Sequence, residues 1–423
     1  MLPVFDKNDI TNVKWLVAEK LIQVVLGILI IPKLFNELGT NSIGQLEFSK
    51  NLIGMVSPLF FLGLSAICIR ELVLHPLEKH KILATAFYLR LASCIFVFIG
   101  LTYYVSIVET TPITLILLIF GFGYCLKTTD VLAYYLHAKK WSKILFIARI
   151  SSLLLISIAQ YWGIIQHYDV YYFAKLIVLD FLIQGVIYSY FLFIKKHLQI
   201  SKWKFSKQMA IRLLKSSYPL IISNFIILFY LGIDELFIKY YLGDTENGIF
   251  ATVQFLVITL TWNIGFAIIN ALYPAFAEAY KNNPILYLKR LRLTYKTMSI
   301  IGITIGLLFT FFSELILTTF YTESYFTANI PLKIFGWAPL FIFIGMIYEK
   351  HIINTNQLQK DVYRFTLGCI VNVLLCYYLI PIYQVKGAAI AVLVSHIITN
   401  VGYLFIDSDG RKHLVKIFIG NTY

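Results

Sequence analysis

Charged side chains inside long apolar stretches are the residues of this sequence that could do chemistry. Glu19 and Lys20 are adjacent, and Lys50, Arg90 and Arg149 interrupt the apolar stretches that follow. An ionised group in hydrocarbon costs on the order of 2.5–3.5 kcal/mol on insertion scales, so each charge should face other helices or water. There such charges either pair with one another or hold a charged ligand, and these five residues are the first candidate site residues.

The spacing of the first candidates defines a helix face. Trp15, Glu19 and Gln23 recur at every fourth residue and share one face of a helix. Lys20 is rotated about 100° from Glu19, so the two do not simply pair with each other. An ion pair with another helix is the alternative for Glu19. For Arg90 and Arg149, both snorkelling to the membrane surface and a position in a cavity are open.

Other intramembrane charges have possible partners close in the sequence. Lys50 follows Glu47 by three residues, and Lys127 and Asp130 have the spacing of a pair within one helix. Asp180 has no opposite charge nearby in the sequence. Its partner must therefore come from another helix or from water.

Two acidic residues close a later apolar stretch. Asp234 and Glu235 lie one turn before Lys239. Solvation at the membrane surface is the favoured interpretation of the two carboxylates, and an outer gate is the alternative. His396 is a lone histidine inside an apolar stretch. A packed, hydrogen-bonded side chain is the favoured interpretation of His396, and a proton relay is the alternative.

The stretches that carry these charges are membrane spans. Hydrophobic residues make up 59% of the 423 residues and charged residues 14%, whereas soluble domains are about half apolar and a quarter charged. A helix crosses the hydrocarbon with about 20 apolar residues, while barrel strands are about ten residues long and alternate in polarity. The pattern predicts an all-α integral membrane protein with twelve spans, at 13–34, 45–69, 82–105, 111–134, 143–164, 171–194, 209–237, 249–273, 291–313, 331–349, 364–385 and 387–406.

Cations in the connections predict the orientation. The odd-numbered connections hold Lys33, Lys239 and Lys386, while the even-numbered connections and both ends hold the other loop cations. Basic connections stay in the cytoplasm, so both ends are predicted to be cytoplasmic. This distribution explains much of the formal net charge of +14. No connection is long enough for a domain that binds nucleic acid, and residues 1–8 predict no cleavable signal peptide.

A repeated motif divides the chain into halves. Leu38-Gly39 with Gly44 recurs as Leu242-Gly243 with Gly248, at an offset of 204 residues. Six predicted spans separate the copies, which indicates two parallel six-helix bundles related by a pseudo-two-fold axis along the membrane normal, with substrate held at their interface. The predicted bundles are residues 1–200 and residues 201–423.

No feature of the sequence predicts an enzyme. There is no phosphate-binding loop and no HExxH motif, so no catalytic residue, cofactor or metal is expected. The cysteines lie in apolar stretches without a Cys-x-x-Cys pair, which predicts neither a disulfide framework nor a zinc site. They are Cys68, Cys94, Cys125, Cys369 and Cys376.

Motifs near the N-terminus resemble a known family. They are Trp15-x-x-x-Glu19-Lys20, Leu38-Gly39 with Gly44, and the segment 62–72. Together they resemble bacterial O-antigen and polysaccharide repeat-unit flippases, the Wzx-type translocases of the multidrug/oligosaccharidyl-lipid/polysaccharide exporter superfamily. The resemblance is sharpest over residues 13–75. Gln23 and Thr40 depart from the family pattern, which often has Arg and Pro there.

The resemblance implies a non-enzymatic transporter of the bacterial inner membrane. It would move undecaprenyl-diphosphate-linked oligosaccharides from the cytoplasmic to the periplasmic leaflet by alternating access, through a cavity lined largely by spans 1, 2, 7 and 8. Its implied partners are the bilayer, a polysaccharide polymerase and a chain-length regulator, without nucleic acid. Cations in a low dielectric attract a diphosphate strongly. The expected head-group ligands are Lys20, Lys50, Arg90 and Arg149. The expected coupling or gating residues are Glu19, Asp234 and Glu235.

Other functions share parts of this pattern. A cation-coupled multidrug or small-molecule exporter has the same architecture but would favour carboxylates in its cavity, whereas these spans hold cations as well. A membrane polymerase or ligase would resemble proteins with a large outer loop, and the longest predicted outer loop, about 314–330, is short. A scaffold subunit leaves the intramembrane charges unexplained.

Overall fold

A computed structural model describes residues 7–108, 111–195 and 197–418. The regular structure of these residues is helical, which confirms the predicted all-α class. Residues 1–6 and 419–423, the ends predicted to be cytoplasmic, lie outside the described residues, as does the side chain of Trp15.

The helices follow one another with short connections. They are α1 (Lys7–Phe61), α2 (Leu64–Leu74), α3 (Lys79–Val108), α4 (Thr111–Leu126), α5 (Val131–Ala138), α6 (Ser142–Ile165), α7 (Val170–Ser189), α8 (Lys207–Leu242), α9 (Asp244–Gln254), α10 (Leu260–Asn282), α11 (Pro284–Phe320), α12 (Asn329–Phe335), α13 (Ala338–Asn354), α14 (Gln359–Ile397), α15 (Tyr403–Ile406) and α16 (Ser408–Phe418).

Two of the membrane-spanning helices are long enough to cross twice. Within the described residues, nine helices are long and apolar enough to span a membrane, or ten if the bent pair Glu323–Phe335 and Ala338–Asn354 forms one span. Ile22–Leu74 has 53 residues and Gln359–Ile406 has 48, where one crossing needs about 20. Non-helical backbone breaks the first at Gly39 and the second at Gln384. Each can therefore supply two spans, and the total of twelve stays a prediction.

The described residues form two compact units. Unit 1 contains residues 7–38 and 45–228, and unit 2 contains residues 39–44 and 229–418. The segment 39–44, which holds the first copy of the repeated motif, therefore belongs to unit 2 by its contacts. The predicted bundles 1–200 and 201–423 stay a prediction.

Unit 1 is held by helix packing and by a cluster of buried apolar side chains. The helix α4 packs on α3 and α7, and α6 packs on α7. A buried apolar cluster joins α2, α3, α5, α6, α7 and α8, with Leu64, Tyr134, Leu145 and Leu213 among its members. The charged residues of the unit's interior are consequently held by well-packed helices.

Unit 2 is held by close helix packing and by ion pairs at its C-terminal end. Gly302 and Gly306 of α11 lie directly against Leu340 and Trp337, where a larger residue would collide. Lys360 lies 2.6 Å from Asp407 and 2.8 Å from Asp409. The hydrogen bond and charge of Lys360 hold the pKa of the exposed Asp409 below its usual value. These ion pairs join α14 to the start of α16.

Candidate functional site

An ion pair between Glu19 and Arg149 is the centre of a polar network in unit 1. Arg149 of α6 lies 3.3 Å from Glu19 Oε1 of α1. Lys20 Nζ donates to Gln23 Oε1 at 2.9 Å, and Gln23 Nε2 donates to Glu19 Oε1 at 3.5 Å. The Glu19 side chain is 3% exposed and that of Arg149 33%. The interhelical ion pair considered for Glu19 is therefore present, and its guanidinium side is open.

Asp180 joins α7 to the same helix that carries Arg149. Ser152 Oγ, one turn after Arg149, donates to Asp180 Oδ1 at 2.5 Å. Gln184 Nε2, one turn after Asp180, donates to both carboxylate oxygens at 2.9 and 3.0 Å. The partners that the sequence did not reveal for Asp180 are thus neutral donors. They donate hydrogen bonds to the carboxylate without neutralising its charge, and Lys127 is a cation that interacts with it electrostatically.

An aromatic cage surrounds the ammonium of Lys127. The chain leaves the α-helix at Lys127–Asp130, which forms a 3-10 turn between α4 and α5. Lys127 Nζ lies 4.3 Å from the ring centre of Phe181, 5.5 Å from that of Phe61 and 5.7 Å from that of Tyr124. Ring faces attract a cation without adding a negative charge. The carboxylates that interact electrostatically with Lys127 are those of Asp130 and Asp180.

Arg90 forms a hydrogen bond to the backbone of the 3-10 turn Lys127–Asp130. Its guanidinium donates to the Tyr134 hydroxyl at 2.9 Å and to the Lys127 carbonyl at 3.0 Å, and it lies 4.7 Å from the ring centre of Phe61. A 3-10 turn leaves carbonyls without their helical donors, and Arg90 supplies one. Arg90 is 1% exposed, so snorkelling to the membrane surface is wrong for this residue.

Lys50 differs from the other predicted head-group ligands. It forms an ion pair with Glu47 at 2.7 Å, as the spacing predicted, and its side chain is 56% exposed. Unit 1 thus brings Glu19, Lys20 and Arg149 together and buries Arg90 beside the Lys127 turn. The roles of all five residues in substrate binding or gating stay predictions.

The predicted gating residues Asp234 and Glu235 are buried in unit 2. Asp234 is 1% exposed and Glu235 5%, so solvation at the membrane surface does not describe them. Gln254 Nε2 donates to Asp234 Oδ2 at 2.7 Å. Gln254 ends α9 directly before the π-helical turn Phe255–Thr259, and such turns are frequent at functional sites.

His396 is a packed, hydrogen-bonded residue, which confirms the interpretation favoured by its apolar surroundings in the sequence. Its Nδ1 lies 2.8 Å from the Tyr230 hydroxyl, and the residue is 5% exposed. Near it, Arg364 bonds Asp361 at 2.7 Å and the Asn400 side-chain oxygen at 3.2 Å. These bonds satisfy a second buried guanidinium, which is 2% exposed.

The two copies of the repeated motif pack directly on each other within unit 2. A Cβ atom added to Gly44 would overlap the Asp244 carbonyl, and one added to Gly248 would overlap the Thr40 carbonyl. Gly44 and Gly248 are equivalent positions of the repeat, and so are Thr40 and Asp244. The two contacts are therefore the same contact with the two copies exchanged. Asn41 Nδ2 donates to Thr245 Oγ1, its counterpart 204 residues later, at 3.5 Å. The contacts are therefore reciprocal, like those about a local two-fold axis.

The sequence patterns did not identify two of the polar residues in these clusters, Gln184 and Arg212. Gln184 stands four residues after Asp180, a spacing that could have identified it. Arg212, which lies 2.6 Å from the buried Glu71, gave no such signal because its partner is far away in the chain. In the part of the chain that the structure describes, no three His, Cys, Asp or Glu side chains come together to hold a metal ion.

Comparisons with known proteins give a family and a fold. A family model described as "Polysaccharide biosynthesis protein" matches residues 10–280. The capsular polysaccharide biosynthesis protein CapF of Staphylococcus aureus is 26% identical over 179 residues, which cover 41% of this chain and 44% of CapF. The alignment thus spans less than half of that relative.

Solved structures of transporters are similar to this chain. The inward-facing conformation of a MATE family multidrug resistance transporter of the MOP superfamily has a TM-score of 0.75 at 13% identity, over 94% of this chain and 96% of that one. A MOP superfamily transporter from Pyrococcus furiosus, described with a binding pocket of reverse polarity, has a TM-score of 0.66 at 14% identity, over 97% and 96%. At such identities the similarity shows the fold alone.

Proposed function

We propose, from the premise that this chain belongs to the polysaccharide biosynthesis protein family, that it is a flippase for undecaprenyl-diphosphate-linked oligosaccharide repeat units. The protein is a multi-pass membrane transporter in fold. In our proposal it lies in the bacterial inner membrane with both ends in the cytoplasm. It moves repeat units of the O-antigen or capsule type to the periplasmic leaflet by alternating access.

The polar network of unit 1 is the observation that carries this proposal. Lys20, Arg149 and Lys127 supply cationic groups inside an apolar helical unit, and Glu19 is the carboxylate within 4 Å of Arg149. A diphosphate offers more negative charge and more acceptor oxygens than one carboxylate. It can therefore replace Glu19 as the partner of Arg149, after which Glu19 can take the head group's place when the lipid leaves.

The remaining candidates take supporting roles in this proposal. Arg90 holds the Lys127 turn through its bond to the Lys127 carbonyl, and we propose that it adds positive potential to the head-group site. Lys50 is exposed and paired with Glu47, which suits a first contact with the head group. Asp234 and Glu235 are buried carboxylates of unit 2, and we propose that they couple or gate the cycle.

The experiment compares neutral variants in a strain that lacks its own flippase. Arg149→Ala and Lys20→Ala should each reduce export of repeat units about tenfold or more, because a charge-assisted hydrogen bond contributes about 1.5–3 kcal/mol. Lys143→Ala is the matched control, since Lys143 is an exposed lysine of the same helix α6. Full export by both variants at normal protein levels would contradict the head-group assignment.

A cation-coupled exporter of small molecules is the second candidate function. It is favoured by the MATE-like fold and by the buried carboxylates Glu19 and Asp234. The two functions differ in cargo, so efflux of cationic dyes from cells is the discriminating measurement. Dye efflux that depends on Asp234, without export of repeat units, would favour the exporter.

A further inference from the structure

Three connections of unit 2 meet around one open cavity of about 670 Å³. They are the start of α9, the 3-10 turn Glu323–Ala328 with the start of α12, and the break in α14 around Gln384. All three are connections that the charge pattern predicts on the outer side. The volume lies within the range of about 300–1,000 Å³ that is usual for small-ligand sites. All of its lining residues belong to unit 2.

The lining of this cavity combines ring faces with hydrogen-bonding groups. Its aromatic members are Phe326 and Tyr383, which are 38% and 53% exposed. Its polar members include Glu246, Asn329, Gln384 and Lys386. A sugar presents an apolar C–H face that packs on an aromatic ring, and hydroxyls that both donate and accept hydrogen bonds. Carboxylate, amide and ammonium groups beside exposed rings match both properties.

One amide in the lining is held by its own hydrogen bond. The Asn329 side-chain oxygen accepts from Ser313 Oγ at 2.6 Å. This bond orients the amide and uses one of the two lone pairs of its oxygen, and the NH₂ group is the part of Asn329 that can donate to a ligand. An oriented donor binds a hydroxyl more tightly than a freely rotating one, because less entropy is lost on binding.

The backbone at the cavity wall is strained. Gln384 has φ 53° and ψ −137° inside the helix α14, a conformation in which glycine is far cheaper than glutamine. Strained backbone of this kind collects at ligand sites, where the surrounding structure enforces it. Gln384 therefore places a polar side chain in the cavity wall at a backbone conformation that glycine adopts more easily.

We propose that this cavity is a carbohydrate subsite of unit 2, which binds sugars of the translocated oligosaccharide on the outer side. The proposal rests on the proposed function for its cargo, but its chemistry concerns the sugar alone and not the diphosphate. The subsite holds the oligosaccharide by its sugars. It therefore selects among oligosaccharides and recognises them without their lipid.

The test measures binding of lipid-free oligosaccharide to the full-length protein in nanodiscs. The probe is the oligosaccharide released by mild acid from the host's own lipid-linked pool, and the readouts are saturation-transfer NMR and calorimetry. Tyr383→Ala removes a ring, and Gln384→Gly removes an amide while suiting the backbone. Each should weaken binding at least fivefold. Tyr240→Ala, which removes an 80% exposed tyrosine outside the cavity, should leave binding unchanged.

Each outcome decides the proposal. Absent binding to the unsubstituted protein, or equal binding by Tyr383→Ala, Gln384→Gly and Tyr240→Ala proteins of equal thermal stability, would overturn it. If the Arg149→Ala protein fails to export while no sugar binds, the subsite is wrong and the proposed function stands. If sugar binds at Tyr383 but the chain exports no repeat units, the flippase proposal is wrong and the carbohydrate site stands.

Discussion

At the scale of single residues, the stability of the Glu19–Arg149 ion pair depends on its hydrogen bonds and on its exposure to solvent. Transfer of an ion pair into apolar surroundings costs desolvation free energy, which is offset only when the hydrogen bonds of both groups are satisfied. Here Gln23, on the next turn of α1, donates a hydrogen bond to Glu19. Because a third of the Arg149 side chain is exposed, solvent weakens the pair on that side. Under the proposed function, this partial exposure lets another anion replace Glu19 at Arg149.

Removal of the Glu19 charge should tighten binding of the head group. In Glu19→Gln the Arg149 guanidinium keeps a hydrogen-bonding neighbour but loses its competing anion. We expect about tenfold stronger binding of undecaprenyl diphosphate, which corresponds to about 1.4 kcal/mol, measured by calorimetry in detergent. Glu37→Gln, which removes a carboxylate paired with His167, is the control. Unchanged affinity in Glu19→Gln would mean that Glu19 does not compete for the site.

A buried and an exposed ion pair of unit 2 should differ in their effect on stability. Arg364→Ala leaves Asp361 and the Asn400 oxygen without the buried guanidinium, and removal of one partner of a buried pair costs about 3–5 kcal/mol. Lys412→Ala removes a 74% exposed partner at 3.9 Å from Asp409 and should cost less than about 1 kcal/mol. Thermal unfolding in detergent measures both. Equal midpoints for the two variants would contradict this assignment.

At the scale of elements, the crossing of Gly44 and Gly248 depends on the absence of side chains. Small residues allow backbones to approach closely in membranes, where packing rather than the hydrophobic effect joins helices. Gly39 and Gly243 stand before the two crossing segments with φ of 71° and 90°, values that a glycine adopts without strain. The motif therefore encodes both a backbone turn and the contact that follows it.

A methyl group at this crossing should disrupt it. In Gly44→Ala the new Cβ would meet the Asp244 carbonyl, a backbone atom that cannot move aside alone. We expect a loss of about 1–3 kcal/mol by overpacking and a lower yield of folded protein, measured by fluorescence-detected size exclusion and thermal unfolding.

The same helix offers a matched control. A Cβ at Gly54 would meet no atom within 4 Å, so Gly54→Ala should gain about 0.5–1 kcal/mol from the better helix propensity of alanine. Destabilisation of both variants to the same extent would show that helix propensity or lipid contact, and not the crossing, determines the result.

At the scale of the whole molecule, the charge of the connections predicts the orientation in the membrane. In a variant without the native cysteines, Lys139→Cys and Lys202→Cys should react with a membrane-impermeant maleimide only after cells are lysed. His167→Cys and Thr322→Cys, in connections with few cations, should react in intact cells. All four positions are at least partly exposed. Reaction of Lys202→Cys in intact cells would reverse the predicted orientation.

Some contacts could be inferred from the sequence because the partners are neighbours on one helix. Lys50 with Glu47 follows directly from helical spacing, and the burial of His396 follows from its apolar surroundings. The family resemblance is confirmed by the match over residues 10–280. The burial of Arg90 was not inferable, because its partners Tyr134 and the Lys127 carbonyl are 44 and 37 residues away.

The sequence by itself determined the class, the membrane, the family and the existence of a repeat, because hydropathy, charge and motif spacing are properties read along the chain. Only the tertiary structure decided that Arg149 meets Glu19, that aromatic rings enclose Lys127, and that the two glycine motifs lie on each other. These contacts depend on the rotation and crossing of helices far apart in the chain. Many rotations satisfy the same hydropathy pattern, and side-chain packing selects among them.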